Sequence, residues 1–243
     1  MCGRFTLTNQ GPEIAEYFDI REVPRVAIVA RYNIAPTQPV LIARAPQGRD
    51  RGELAEVVWG LVPSWSNDAT GGAKMINARG ETVDSKPAFR EAFRKRRCIV
   101  PASGFYEWTA AGKRRQPWYI TLTDQPLMPL AGLWEQWRGP DGKLLETCTI
   151  ITTSANELMT RMHDRMPVIL SRGQFAQWLD PDEQDAGKLK QLIASYDTRA
   201  MTMHAVSMRV NNARLEDGDP TLIDEVDHPG PEAPPQGRQL ELF

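Results

Sequence analysis

Several residue types that define common classes of protein are scarce in this chain. It has three cysteines (Cys2, Cys98 and Cys148), which are odd in number, far apart and without a CxxC pair, and only three histidines among 243 residues. This pattern resembles neither a disulfide framework nor a zinc site. No apolar run approaches the roughly 20 residues that a membrane span needs, and the N-terminus lacks the basic and apolar regions of a signal peptide. We therefore expect a cytoplasmic protein with no metal, no cofactor and no membrane partner.

A strong charge of one sign is also missing, because 29 Lys and Arg nearly balance 31 Asp and Glu, for a net charge of −2. The balance hides an asymmetry along the chain. Residues 216–243 hold eight acidic residues and one basic residue, which leaves 28 Lys and Arg against 23 Asp and Glu, or +5, in residues 1–215. A basic body with an acidic tail indicates a polyanionic partner for the body.

The pattern of apolar residues predicts one α+β domain over residues 2–222, followed by an acidic, Pro/Gly-rich flexible tail over residues 223–243. Strands are predicted at Pro39–Arg44, Ala55–Leu61, Gly104–Trp108, Trp118–Leu122, Met128–Leu133, Leu144–Thr153 and Met201–Val206. Helices are predicted at Pro12–Phe18, Lys86–Arg96, Ser171–Leu179 and Gly187–Tyr196. On the second helix, a stripe of Arg90, Arg94 and Arg97 is either a solvated face or a track for phosphates.

Cys2 has a position that no other cysteine of the chain shares. It follows Met1, and a residue as small as Cys permits methionine aminopeptidase to remove Met1 and expose a 1,2-aminothiol. Taken alone, a buried structural cysteine is the other interpretation. An α-amine with a pKa of roughly 7.7–8.0 is ~20–30% neutral near pH 7.5, whereas a lysine is ~0.1% neutral. An exposed Cys2 amine would therefore attack an aldehyde well, and the adjacent thiol could then close a five-membered thiazolidine ring.

Six segments in a fixed order resemble a known family. They are Cys2–Phe5, Arg31–Pro36 (RYNIAP), Trp59–Trp65 (WGLVPSW), Ile76–Thr82 (INARGET), Gly104–Trp108 (GFYEW) and Met162–Pro167 (MHDRMP). Together they are similar to the SOS-response-associated peptidase family, whose members crosslink to abasic DNA. The resemblance runs from Cys2 to about Leu222. It implies a single domain with a mainly antiparallel, strongly curved sheet core flanked by short helices.

The resemblance also implies roles for four catalytic residues. Cys2 would form the covalent thiazolidine crosslink, and Glu107 would be the general acid and base for ring opening and imine formation. His163 would move a proton at the imine stage, and Asn77 would hold the sugar through its amide. For three of them there is a structural alternative: an exposed strand carboxylate for Glu107, a structural histidine for His163 and a turn or cap for Asn77.

The partner that the family implies is single-stranded DNA containing abasic sites, met during the SOS response to DNA damage. Arg4, Arg79 and Arg165 lie beside catalytic residues and are predicted phosphate ligands. Trp65 and Pro36 offer apolar surfaces to a base, and Asn33 would shape the pocket. An unpaired strand is expected because it bends at little cost.

The chain ends in Gln239-Leu240-Glu241-Leu242-Phe243, which resembles the peptide by which bacterial repair proteins dock on the DNA sliding clamp. Leu240, Leu242 and Phe243 would fill apolar pockets, and Gln239 would set the register. A tail that packs back on the domain or frays is the alternative.

Two other functions use the same residues. Cys2, His163 and Glu107 could serve a cysteine peptidase or an N-terminal-nucleophile hydrolase, and the basic body could be a non-covalent single-strand-binding module. In each case we expect a monomer.

Overall fold

The computed structural model describes residues 2–20, 28–45, 52–111, 114–214 and 217–228. Its strands are β1 (Phe5–Leu7), β2 (Arg31–Ile34), β3 (Pro39–Arg44), β4 (Glu53–Trp59), β5 (Asn77–Arg79), β6 (Arg97–Ala102), β7 (Gly104–Ala111), β8 (Arg114–Leu122), β9 (Met128–Arg138), β10 (Leu144–Ser154), β11 (Arg165–Pro167) and β12 (Met201–Ala205). They form two sheets. The barrel sheet consists of β3, β4, β5, β6, β9, β10 and β11, and the second sheet consists of β1, β2, β7, β8 and β12.

The helices are short. They are α1 (Gly11–Tyr17), α2 (Arg90–Lys95), α3 (Phe175–Leu179) and α4 (Ala186–Gln191), and single 3₁₀ turns include Thr70–Lys74, Met159–Arg161 and Met208–Asn211. Short polar caps start some of them: the Asp185 carboxylate accepts hydrogen bonds from the backbone N–H groups of Gly187 (2.8 Å) and Lys188 (3.3 Å) at the start of α4. Within the described ranges, none of the helices has the length and apolar character required to cross a membrane.

Five strands of the barrel sheet close on themselves. The order β10-β4-β3-β6-β9 is completed by a second pairing between β9 and β10, so each of these strands has two neighbours. Most contacts are antiparallel, but β10 runs parallel to β4 and to β5. All six residues of β6 are buried, as expected for a strand at the centre of a closed core. Closure leaves few open strand edges in this half of the molecule.

The second sheet has the order β12-β8-β7-β1-β2. The three-residue strand β1 lies between β7 and β2. Its Phe5 is the partner of Phe105 on one side and of Ile34 on the other. Phe5 also packs edge-on against Trp59 of the barrel sheet, with ring centroids 5.1 Å apart. The N-terminal residues of the chain are thereby held where the two sheets meet.

The predicted α+β class with mainly antiparallel, curved sheets and short helices is confirmed. The seven predicted strands are present, β3 with the predicted ends and the other six with one or both ends shifted. Strands β1, β2, β5, β6 and β11 were not predicted from the sequence. The predicted helix at Lys86–Arg96 is shorter, since α2 begins at Arg90 and ends at Lys95.

Arg97 corrects the predicted arginine stripe. It lies in β6 rather than on the helix, and its guanidinium is buried and donates hydrogen bonds to the carbonyl oxygens of Trp178 (2.6 Å) and Phe93 (2.7 Å) and to that of Asp180. Burial lowers its pKa to about 10. Arg97 therefore ties α2 and the end of α3 to the barrel and is neither solvated nor available to a phosphate.

Residues 223–228, which the sequence analysis assigns to the tail, pack on the body. Val206 and Glu225 form an antiparallel bridge, the N–H of Val226 donates to the carbonyl of Ala205 (2.9 Å), and the ring of His228 contacts Trp118 edge-on at 5.1 Å. Apolar contacts explain the difference, because Val226 joins the core. The rest of the predicted tail, from residue 229, lies outside the described residues.

Two glycines let the segment after β4 approach the turn at Thr70–Lys74. Gly60 has φ of +134°, a conformation that residues with a Cβ rarely adopt, and a Cβ on it would lie 2.7 Å from the carbonyl oxygen of Gly72. A Cβ on Gly72 would lie 2.6 Å from the carbonyl oxygen of Gly60. Because both obstacles are backbone atoms, they cannot move aside like a flexible side chain.

We predict that Gly60→Ala lowers the free energy of unfolding by about 1–3 kcal/mol, from backbone strain at its positive φ. Gly71→Ala is the matched control, since it lies in the same 3₁₀ turn as Gly72 and a Cβ there meets nothing within 4 Å. Urea unfolding followed by tryptophan fluorescence measures both. Equal stability of the two variants would contradict the predicted strain.

Candidate active site

Cys2 lies just before β1 and is fully buried. Its carbonyl oxygen accepts a hydrogen bond from Nδ2 of Asn77 (2.8 Å). Asn77 begins β5, where it pairs with Ile150 of β10. The segment that leads into β1 of the second sheet is therefore bonded directly to β5 of the barrel sheet.

Glu107 reaches the same point from β7. This strand is the neighbour of β1, and the N–H of Tyr106 donates to the carbonyl of Arg4 (2.9 Å). Glu107 is buried. Burial raises the pKa of the Cys2 thiol, and the negative charge of Glu107 raises it further. Cys2, Asn77 and Glu107 therefore form one group, the Cys2 cluster, in which the thiol stays protonated at neutral pH.

Trp59 supports the backbone that precedes Asn77. Nε1 of Trp59 donates to the carbonyl of Ile76 (2.9 Å), which also accepts from the N–H of Ile150 (3.1 Å). With its Nδ2 used on Cys2, the Oδ1 of Asn77 is buried and has no hydrogen-bond partner among the described residues. A buried acceptor of this kind is costly unless a donor reaches it.

His163 follows the 3₁₀ turn Met159–Arg161 and precedes β11. Its Nδ1 faces two groups: the backbone N–H of Arg165 at 3.0 Å and Oδ1 of Asp164 at 2.6 Å. A neutral ring that accepts from Arg165 carries its proton on Nε2, whereas a protonated Nδ1 donates to Asp164. The ring is about one-third exposed, so this proton can exchange with solvent or a ligand.

Arg4 and Asn33 bond to each other. Nη1 of Arg4 donates to Oδ1 of Asn33 (2.7 Å) and to the carbonyl of Val210 (2.9 Å), and its guanidinium lies 5.9 Å from the ring centroid of Trp108. Burial lowers the pKa of Arg4. Asn33 is buried and donates to the carbonyl of Asn212 (3.2 Å). The pair fastens residues 210–212 to β2, next to the Cys2 cluster.

Arg165 also has protein partners. Its guanidinium donates to both carboxylate oxygens of Glu81 (3.0 and 2.8 Å), and to Oγ1 (3.1 Å) and the carbonyl (2.7 Å) of Thr152. Arg165 was predicted as a phosphate ligand, and its ion pair with Glu81 was not predicted. Its two planar donors are engaged by a carboxylate in the geometry that a phosphate would use.

Three other predicted DNA contacts face outwards to different degrees. Arg79 is exposed at the end of β5, two residues from Asn77 and so on the same side of the strand. Trp65 is 65% exposed in a loop whose Ser66 carbonyl accepts from Nε1 of Trp137 (2.7 Å). Pro36, between β2 and β3, is half-buried.

The described residues contain no group of three or more His, Cys, Asp and Glu side chains placed to hold a metal ion. The predicted partner-binding residues Gln239, Leu240, Leu242 and Phe243 lie outside the described part of the chain.

The residues that hold the predicted site residues in place were not predicted from the sequence. Trp59 and Glu81 lie inside the quoted segments, but their roles depend on partners that are distant in sequence: Ile76 for Trp59 and Arg165 for Glu81. Thr152, Val210 and Asn212 lie outside every segment. Only the strand pairing and the position of the 210–212 segment bring them to the site.

Known proteins are similar to this chain along nearly its whole length. A model of the SOS response associated peptidase (SRAP) family matches residues 1–213. The abasic site processing protein YoqW of Bacillus subtilis is 42% identical over 226 residues, covering 92% of this chain and 99% of that protein. The abasic site processing protein HMCES of Xenopus tropicalis is 34% identical over 212 residues, covering 75% of this chain and 63% of that protein.

Solved structures agree as well. A protein from Bacteroides thetaiotaomicron is similar with a TM-score of 0.83 at 27% identity, covering 93% of this chain and 100% of that one. A protein from Bordetella bronchiseptica is similar with a TM-score of 0.72 at 25% identity, covering 85% of this chain and 100% of that one.

We predict that Glu107→Gln makes the Cys2 thiol more reactive. The substitution removes a negative charge that raises the pKa of this thiol, so more thiolate is present at a given pH. Iodoacetamide labelling at pH 8, followed by mass spectrometry of peptides, measures the rate at each cysteine. Cys98 and Cys148 are internal controls, since both are buried and neither pKa responds to Glu107. An unchanged rate at Cys2 would mean that Glu107 exerts no field on it.

Proposed function

This chain belongs to the SOS response associated peptidase family, and we propose on that premise that it captures abasic sites in single-stranded DNA by forming a covalent bond to Cys2. One observation carries the proposal. Cys2 is bonded through its carbonyl to Asn77, while the carboxylate of Glu107 lies close enough to raise the pKa of its thiol. The residue with the reactive atoms thus has a hydrogen-bonding anchor and a proton acceptor beside it.

The reaction has two bond-forming steps once Met1 has been removed. The α-amine of Cys2 adds to the aldehyde carbon of the open abasic sugar, and loss of water leaves an imine. The thiol sulfur then attacks the imine carbon, its proton passes to the imine nitrogen, and a five-membered thiazolidine closes. No oxidant, reductant or cofactor is required, because the atoms of amine, thiol and aldehyde balance with one released water.

The state of the thiol favours this order of steps. A thiol whose pKa is raised by burial and by Glu107 is a weak nucleophile at neutral pH, whereas an α-amine is partly neutral there. The amine therefore attacks first, and the thiol needs a base at the second step. Glu107 takes the thiol proton and returns it to nitrogen, which is the work of a general acid and base.

Asn77 and His163 have supporting roles in this scheme. The buried Oδ1 of Asn77 is free among the described residues to accept from the amine of Cys2 or from a hydroxyl of the opened sugar. When Nδ1 of His163 accepts from the N–H of Arg165, its Nε2 carries a proton that can help water to leave.

The surface around the Cys2 cluster suits a single strand. Exposed Arg79 offers a cation on the same side of β5 as Asn77, and exposed Trp65 offers a ring on which a base can stack. We assign the phosphate contacts to Arg79 and Arg165, with Pro36 beside the bases. Arg4 and Asn33 shape the pocket through their bond to each other. Capture in this way would shield the lesion during the SOS response.

A cysteine peptidase is the second candidate, and its requirement differs. Such an enzyme attacks with a thiolate, usually formed beside a histidine. Here burial and Glu107 disfavour the thiolate of Cys2, and the contacts of the His163 ring are with Asp164 and Arg165. A non-covalent binding module is the third candidate, and it would need no buried thiol.

Cys2→Ala separates the three candidates and tests both steps. The variant keeps an N-terminal amine but lacks sulfur, so we expect borohydride to trap it on an abasic oligonucleotide while the untreated complex dissociates on heating. The wild type should give a heat-stable shifted band on a denaturing gel without borohydride. Cys148→Ala, which removes a buried barrel thiol, is the control and should crosslink like the wild type. A heat-stable untreated band from Cys2→Ala would exclude the thiazolidine.

We also propose that the C-terminal peptide recruits the protein to the sliding clamp, through Gln239, Leu240, Leu242 and Phe243. The sequence pattern supports it, since a short apolar peptide after a Pro/Gly-rich stretch can reach a partner while the body holds DNA. Deleting residues 239–243 should abolish clamp binding in a calorimetric titration and leave oligonucleotide crosslinking at the wild-type rate. Clamp binding that survives the deletion would assign the contact to the body.

A further inference from the structure

Glu81 lies among three cations, Arg165, Arg79 and Lys190, on the side of the molecule where β5 carries Asn77. Its carboxylate accepts two hydrogen bonds from Arg165, and its carbonyl oxygen accepts one from Nζ of Lys190 (3.1 Å). Arg79 is near enough that its charge, after the larger effect of the Arg165 hydrogen bond, also lowers the pKa of Glu81. Lys190 has a second partner, Asp84, at 3.0 Å. Glu81 therefore neutralises charge that two arginines provide.

The two partners of the ion pair differ in exposure. The side chain of Arg165 is 11% exposed and that of Glu81 is 50% exposed. Glu81 can turn into water at little cost, whereas a buried guanidinium that loses its anion is strongly destabilised. Glu81 therefore leaves Arg165 only when another anion takes its place.

The guanidinium of Arg165 does not depend on Glu81 for its orientation. Nε donates to Oγ1 of Thr152 and Nη2 donates to the Thr152 carbonyl, and Thr152 is the strand partner of Arg79. The backbone around Glu81 is fixed as well. The N–H of Gly80 donates to the Thr152 carbonyl (2.9 Å), and a Cβ on Gly80 would lie 2.4 Å from Cγ2 of Ile193.

From these contacts we propose that the Glu81 carboxylate occupies the seat of a DNA phosphate on Arg165 and is exchanged for that phosphate when a single strand binds. The inference rests on the proposed function, since it assumes that DNA crosses this surface. Planar guanidinium donors bind carboxylate and phosphate oxygens in the same two-point geometry. Glu81 then acts as an internal competitor that weakens binding to undamaged strands. It is a specificity-determining residue and takes no part in the chemistry.

Glu81→Gln and Glu81→Ala test the exchange. We expect both variants to bind an intact, unmodified oligonucleotide about threefold to tenfold more tightly than the wild type at low salt, since a competing charge is removed. The log–log salt dependence should steepen by about 0.7, equivalent to one more phosphate contact. Fluorescence anisotropy over a series of salt concentrations measures both quantities, and thermal melting checks that the variants fold.

Asp141→Asn is the matched control. It removes the same charge from another ion pair, Lys143–Asp141 (3.3 Å), in the turn between β9 and β10, and it should leave affinity and salt slope near the wild-type values. Unchanged or weaker binding by the Glu81 variants would overturn the inference, and so would an equal gain in Asp141→Asn. Crosslinking of an abasic oligonucleotide by the wild type is scored separately. If the wild type crosslinks but the Glu81 variants bind the intact strand like the wild type, only the exchange is rejected. If the wild type does not crosslink, the proposed function is rejected.

Discussion

A single hydrogen bond, from Nδ2 of Asn77 to the carbonyl of Cys2, connects the two sheets at the point where the candidate chemistry lies. Neither sheet alone contains the Cys2 cluster, because Cys2 leads into β1 and Glu107 lies on β7 of the second sheet, whereas Asn77 lies on β5 of the barrel sheet. Trp59 supports the junction twice, through its ring against Phe5 and its indole N–H on Ile76. The packing of these aromatic side chains therefore also determines where the reacting groups lie.

Long, regular elements could be predicted from the sequence, and short ones that carry function could not. Strand β3 was predicted to the residue, since its continuous apolar run from Val40 to Ala43 is typical of a buried strand. Strands β1, β5 and β11 have three residues each, too few for any period to appear. Strand β6 contains Pro101, a residue that argues against a central strand, yet all its residues are buried.

The site was predictable as a set of residues but not as an arrangement. The quoted segments contain all three members of the Cys2 cluster, and their resemblance to a family brought them forward. The partners of the charged residues were beyond reach, because Arg165 meets Glu81 across 84 positions and Arg4 meets Val210 across 206. The parallel pairings of β10 with β4 and β5 could not be predicted either, because parallel strands are not joined by a short turn that the sequence would show. Electrostatic complementarity appears only once the chain has folded.

The location of β1 bears on how the protein matures during its synthesis. β1 lies between β2, which begins at Arg31, and β7, which begins at Gly104, so the first strand has only one of its two sheet neighbours until about a hundred further residues have left the ribosome. At typical rates of translation this takes on the order of 5–20 s. Throughout that interval the partly assembled sheet lacks β7 and with it Glu107, whereas in the finished fold Cys2 has no exposed surface. The proposed removal of Met1 is therefore easier before the second sheet is complete than after it, since a buried Cys2 can be reached only when the fold opens.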